Sequence, residues 1–592
     1  MPIALGAAAP VGARIARDLP VELAPQAAGE ATSGAVARDA RSYDGRVAVT
    51  LAPAAVGDDG RIPSLDVTLT LDDVRAAAGE PLLCLPLVTD NVDTVAATLS
   101  IAEAHDAEGP FALAAHDREP DEGEPARCWS AERPLAGEVV VRYSAPVLNA
   151  TGTRGAAPPI ELRSEAGAVS GGGATFLMMP PGDTPRRFAV SFDLSALPAG
   201  ARALSSYGTD DVAIDEALPP GRFTDAYFMA GAIGRYPHTG ETEGFFGAWQ
   251  GQPPFDAPPL MQRGEELYAS YLEFFRPPDH PPFGVFLRRN PVNPGGGMGL
   301  RHSFILTFGP ETDAAGLNGT LAHEMFHVFV GSLDAPAGLQ SSWFGEGLAV
   351  HYQRLMLLRT GQITPGQFLD SVNATAARYY TNALIDTPND EIPARFWEDT
   401  RVRVLPYDRG SLYFAALDHR LRSLSSRRRS LDDLLLAMLE LRRSGRPMDR
   451  AAWVHLLDRE LGSVGVAEFE AMLAGEVVLP PPDAFGPCFT RTQKPLRRYQ
   501  LGFEPKVLTE NPRIVRGLIA DSAAARAGLE NGDEILRPVP QDAIQGDQDA
   551  WLSLAVRRGE RTFTVRYQPR GETVNAWQWE RRDAVPDAGC TW

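Results

Sequence analysis

The segment LAHEMFHVFVG at 321–331 constrains the chain more than any other stretch, because it sets His323 and His327 four residues apart with Glu324 directly after the first. On an α-helix, positions i and i+4 share one face, so the two imidazoles converge on a point about 2 Å from each ring nitrogen. Two ligands make half a site. WFGEG at 343–347 offers the third, Glu346, with eighteen residues between it and His327. That gap is long enough for a helix to end at Gly331, a loop to turn back and a second helix to bring its carboxylate to the same metal. Two histidines, a carboxylate and a fourth position left open to water are the donor set of a catalytic zinc ion, one per chain.

Glu324 follows a ligand but points toward the open side of the metal. Its expected task is to take the proton from the attacking water and pass it to the leaving amine. Met325, Phe326, Val328 and Phe329 are expected core residues, and Trp343 and Phe344 are expected to pack behind Glu346 and fix its rotamer. Each ligand histidine needs a hydrogen-bond acceptor for its other ring nitrogen, and the sequence names none. His351, His419 and His455 read as structural.

The 592 residues exceed what one hydrophobic core supports and imply several domains. Residues 1–43 read as an Ala-rich arm. Residues 44–245 carry short runs such as GRVAVTLA, LDVTLTL, GEVVVRY, ATFLMM and RRFAVSFDL between Gly, Pro and Asp, the pattern of a β-rich domain. Proline-dense chain from 251 to 295 reads as a connection into the strand RHSFILTF, and apolar residues at helical spacing dominate from about 312 to 470. The site thus falls in a domain at 246–485, ahead of a strand-rich unit at 486–592 with a short helix at AARAG.

A net charge of −20 argues against a nucleic-acid-binding surface and does not favour an anionic membrane. Cys84, Cys128, Cys488 and Cys590 show no zinc spacing and are expected as unpaired thiols, with a clamp between Cys488 and Cys590 as the alternative in an oxidising compartment. The opening MPIALGAAAPVGARIA lacks a basic segment, and no apolar run of about 18 residues follows it. The expectation is a cytoplasmic protein, or a periplasmic or secreted one if a leader precedes this chain.

HEMFH, WFGEG, YDRGSLYFAALDHRLR and SLDDLLLAML, in that order, resemble the glycyl aminopeptidase family of zinc metallopeptidases, and FTDAYFMAGAIGRYP resembles the end of that family's N-terminal β domain. The resemblance covers roughly residues 44 to 570. It implies a multidomain fold: an N-terminal β-rich domain, a thermolysin-like α+β metallopeptidase domain of the gluzincin type and a C-terminal PDZ-like β module. It also implies hydrolysis after small amino-terminal residues, glycine or alanine. Tyr407, in YDRG, would hydrogen-bond the developing oxyanion, which suits a neutral phenol beside a cation.

GGGMGLRHSF matches the family's Gly-rich turn and edge strand, where an extended peptide could add to the sheet beside Gly296, Gly297, Gly299, Arg301 and His302. The family places a glutamate where this chain has Arg301. A carboxylate partners a free α-ammonium and an arginine does not, so Arg301 opens a second reading, an endopeptidase or a processor of acidic peptides. YQLGF resembles a PDZ carboxylate-binding loop, which would bring a peptide C-terminus to Leu501, Gly502 and Phe503; the alternative is a module folded against the catalytic domain that shapes access to its cleft. A third reading, a peptide-binding protein without catalysis, predicts loss of a ligand, the base or the oxyanion donor, and all five residues are present.

Overall fold

The computed structural model describes residues 45–590 except 91, 119–124, 150–157, 239–243, 279, 281, 293, 540, 583 and 588–589, so the expected N-terminal arm lies outside the described residues. Strict alternation builds the first domain. Strands Arg46–Pro53, Ser64–Ala76 and Leu135–Pro146 pair antiparallel, in a register that lines up Val47, Leu71 and Val139, then Val49, Leu69 and Val141, then Leu51, Val67 and Tyr143. These rows face one buried core, shared with Phe176 and with Val169 and Phe228 of a second sheet stacked on the first.

ATFLMM, expected as a strand, departs from this rule. Gly173–Thr175 is a 3₁₀ turn, and Phe176, Leu177, Met178 and Met179 follow it as buried irregular chain. The run packs into the core without forming a strand. Its backbone finds partners instead in the Tyr143 hydroxyl, which donates to the Phe176 carbonyl and accepts from the Met178 N–H, both at 3.0 Å.

The site is carried by a five-stranded mixed sheet of β1 (Ile233–Tyr236), β2 (Phe245–Gln250), β3 (Phe283–Arg289), β4 (Gly297–Leu300) and β5 (Ser303–Phe308), in the order β1-β2-β3-β5-β4. It begins at Ile233, ahead of the boundary expected at 246. Both faces are covered, so its strands read as continuous apolar runs. Val285, Leu287, Phe304 and Leu306 enter the helical core, whereas Phe286 and Ile305 pack on Tyr227 and Met229 of the first domain. Ser206 and Ser303 share a buried hydroxyl–hydroxyl hydrogen bond of 2.6 Å across the same junction.

The proline-dense stretch holds more than connection. Helix α1 (Ala257–Phe275) carries the chain from β2 to its parallel neighbour β3, with its prolines in the first turn, where their missing N–H groups cost nothing. After the sheet come α2 (Asn318–Val330), α3 (Ser342–Arg359), α4 (Pro365–Tyr380), α5 (Leu405–Leu424), α6 (Leu431–Arg443) and α7 (Arg450–Leu473). SLDDLLLAML is α6, started by a Ser430–Asp433 capping box. Among the described residues no helix is long and apolar enough to cross a membrane.

Among the described residues the C-terminal unit has six strands and the expected short helix, Ala523–Arg526, with a second at Gln541–Gly546. Its first and last strands, Phe489–Tyr499 and Arg570–Arg581, pair with each other. The expectation of unpaired thiols is overturned: Cys488 bonds Cys590, and Cys84 bonds Cys128 directly across two paired strands.

Candidate active site

Helix α2 ends at Gly331 and α3 returns beside it, so His323, His327 and Glu346 meet as the sequence requires. The edges of the triangle formed by their donor atoms are 3.1 Å (His323 Nε2 to Glu346 Oε2), 3.3 Å (His327 Nε2 to Glu346 Oε2) and 3.2 Å (Nε2 to Nε2). A tetrahedral ion with bonds of about 2.0–2.1 Å holds its donors about 3.3 Å apart, so these residues fit one zinc ion and leave its fourth direction open. Burial works against charge on Glu346, but the two imidazoles overturn it and hold the carboxyl well below the usual range.

Gln353, two helical turns past Glu346 on the same α3, accepts a hydrogen bond of 2.9 Å from His323 Nδ1. This contact fixes the tautomer that turns Nε2 toward the metal. Sequence reasoning missed Gln353, although its seven-residue offset from Glu346 puts it on the same helix face. Trp343 and Phe344 are buried and anchor α3 against Phe469 and Trp453, with ring centroids 4.9 and 5.6 Å apart.

Glu324 is buried beside the triangle, where burial pushes its carboxyl up, with Glu346 adding to the rise against the pull of the imidazoles. The Gly299 N–H donates to it. Gly297 must be glycine: a Cβ there would sit 2.7 Å from the Ile305 carbonyl oxygen and 3.2 Å from Glu324 Cγ. The glycine segment is therefore itself the edge strand, β4, whereas the sequence suggested a turn before one, and Arg301 and His302 form the tight turn into β5. Gly297, Gly299, Arg301 and His302 line the cavity over the metal ligands. Gly296 stands outside that lining, its carbonyl occupied by the backbone and hydroxyl of Thr307.

Arg301 has its side chain engaged within the protein. Its guanidinium pairs with Glu216 of the first domain, and its backbone N–H donates to the Asp225 carbonyl at 2.9 Å. His302 is held neutral, its pKa lowered to about 4 by burial first and then by Arg301 and Arg222.

Tyr407, in the first turn of α5, lines the cavity and stacks on the His323 ring with centroids 6.0 Å apart and planes 12° apart. Beside it, buried Asp408 accepts two hydrogen bonds from Arg378 of α4. The cavity is about 1270 Å³, and Asp90, Asp93, Glu161 and Asp225 of the first domain also line it. Sequence alone gave no sign of these carboxylates.

Leu501 and Phe503 are core residues of the C-terminal module, and the Leu501 carbonyl accepts from the Tyr567 hydroxyl at 2.7 Å. The chain then enters a 3₁₀ turn, Pro505–Thr509, rather than a strand with a free edge. Gly502 spends its carbonyl on the Ile519 N–H. Val539 and Gln541 of this module line the catalytic cavity. His351 is buried away from the metal ligands, and His419 faces Asp483 at 3.1 Å.

The HExxH helix with its buried Glu324 and the returning glutamate make this a gluzincin-type site, the site of a zinc-dependent metallopeptidase. No protein-family model matches the chain, and no curated protein matches it in sequence. Its fold is similar to that of the aminopeptidase N family protein from Idiomarina loihiensis, with a TM-score of 0.63 at 13% identity over 92% of this chain and 100% of the other. Weaker likenesses are to the M1 zinc metallopeptidase from Deinococcus radiodurans (TM-score 0.44, 18% identity, 74% of this chain and 94% of the other) and to yeast LTA4 hydrolase (0.45, 12%, 74% and 69%).

Proposed function

We propose that the protein is a zinc-dependent aminopeptidase that releases small amino-terminal residues, glycine or alanine. The observation that carries this reading over an endopeptidase is the Arg301–Glu216 pair: the arginine that suggested acidic substrates is tied to the first domain. Carboxylates of that domain, Asp90, Asp93 and Asp225, line the cavity, as recognition of an α-ammonium requires. The Idiomarina loihiensis protein bears an aminopeptidase family name, in keeping with this choice. The preference for glycine or alanine rests on the resemblance of the motifs.

A bound zinc ion would polarise the scissile carbonyl and lower the pKa of water. Glu324, held by the Gly299 N–H, takes the proton of the attacking water and delivers it to the departing amine. The Tyr407 hydroxyl donates to the oxyanion as it forms. Strand β4 pairs with the extended substrate and sets its carbonyl over the ligands. The two disulfides favour an oxidising compartment, periplasmic or outside the cell.

Hydrolysis of alanyl and glycyl anilides, with the amine free or acetylated, tests the reading. The expected result is cleavage of the free-amine compounds alone, abolished by a chelator. Faster cleavage of the acetylated forms would contradict it.

A further inference from the structure

The four residues of YDRG stand at the start of α5, and three of them are tied to neighbouring elements. Asp408 is fully buried and accepts twice from Arg378 of α4, at 2.7 Å from Nε and 2.5 Å from Nη2. Arg409, only 1% exposed, donates to the Thr387 carbonyl at 2.7 Å, just past the end of α4. Gly410 meets the α3 backbone at Trp343 and Gly347. Tyr407 is the one that lines the cavity.

Successive helix positions are turned by about 100°, so fixing the Asp408 side chain fixes the direction in which Tyr407 leaves the axis. The start of a helix most needs such a hold, because its first turn lacks part of the hydrogen bonding that steadies the interior. The link to Arg378 differs from the other two. It is charge-assisted and made by two donors at once, which gives it both strength and direction. Of the three partners, Arg378 alone also lines the catalytic cavity. The Tyr407 ring packs against the core that holds Phe368 and Val372 of the same α4.

We propose that Arg378 is a positioning residue for hydrolysis. Through Asp408 it sets the rotation of the first turn of α5, and so holds the Tyr407 hydroxyl where the oxyanion forms, without touching the substrate itself. A phenol displaced by about 1 Å loses most of its value to the transition state, since a shift of that size costs up to about 10²-fold in rate. This rests on the peptidase reading above and on the role given there to Tyr407.

The test is a double-mutant cycle on full-length, zinc-loaded protein with alanine anilide: wild type, Tyr407→Phe, Arg378→Gln and the two combined, each with its zinc content and melting temperature. Arg354 stays close enough to Asp408 to offset its charge, so Arg378→Gln strands no buried anion. Arg378→Gln is expected to lower kcat at least about tenfold, with KM within about twofold and one zinc per chain retained. Arg378→Lys, which keeps a charged donor for Asp408, recovers at least about threefold of that loss, and it carries the cycle if Arg378→Gln fails to fold. In the Tyr407→Phe background the Arg378 change costs less than about twofold, because the hydroxyl it would misplace is gone. Equal losses in the two backgrounds, or an Arg378→Gln enzyme as fast as its parent, would overturn the positioning role and leave the peptidase reading intact. A Tyr407→Phe enzyme at the parental rate would overturn the role of Tyr407 and this proposal with it. A wild type without zinc-dependent cleavage of the anilide would overturn the peptidase reading as well.

Discussion

Gly347 of α3 and Gly410 of α5 meet backbone to backbone: a methyl group on Gly347 would come within 2.7 Å of Gly410 Cα, and one on Gly410 within 2.7 Å of the Trp343 carbonyl oxygen. Glu346 precedes the first glycine and Tyr407 lies one turn before the second. One close helix crossing therefore sets both the metal carboxylate and the phenol. The crossing also gives a physical reason for the second glycine of WFGEG and the glycine of YDRG.

Gly410→Ala and Gly347→Ala should force these helices apart. The expected cost is about 1–3 kcal/mol of stability, with kcat/KM falling even at temperatures where the protein stays folded. Thermal melts beside kinetics check this, and an alanine variant with unchanged melting and rate would refute the crossing as a determinant of the site.

Gln353→Ala removes the acceptor of His323 Nδ1–H and should weaken zinc affinity about 10–100-fold. Competition with a chelator of known strength measures the loss. With zinc in excess, much of the rate should return, which separates ligand orientation from a direct part in the chemistry.

Tyr407→Phe keeps the ring that stacks on His323 and deletes only the hydroxyl. A fall of about 10²–10³ in kcat, with KM little changed, is expected if the phenol meets the oxyanion. A variant as fast as the parent would move the oxyanion donor elsewhere.

His351 gives the fold an acid sensitivity of its own. Burial first, and then Arg354, lowers its pKa to about 3, and its Nε2 has no partner among the described residues. The unfolded chain takes up a proton on this ring near its ordinary pKa of about 6.5, whereas the folded protein resists until about 3. Stability from this group is thus complete above about pH 6.5 and drains as pH falls toward 3, at up to about 1.4 kcal/mol per pH unit. Denaturant midpoints between pH 7 and 5, on the wild type and His351→Phe, should show a shallower slope in the variant.

The metal ligands were legible because their geometry is local: helix periodicity places His323 and His327, and one turn-back brings Glu346. Gln353 lay within reach of the same rule. What stayed hidden depends on chain far away in sequence. Glu216, which occupies Arg301, comes from the first domain, and Gln541 from the C-terminal module. The pairing of β1 with β2 likewise moved Ile233–Tyr236 out of the β-rich domain, because tertiary contacts and not local pattern decide which sheet a short strand joins. Prolines read as a linker turned out to open α1, since the first turn of a helix has no N–H bonds to lose.

The most direct measurement is the rate of Glu324→Gln in protein whose zinc content has been determined. One zinc per chain should remain, held by His323, His327 and Glu346, while kcat drops at least about 100-fold because the side chain that moves the proton is gone. A variant that keeps both its zinc and the full parental rate would contradict the account.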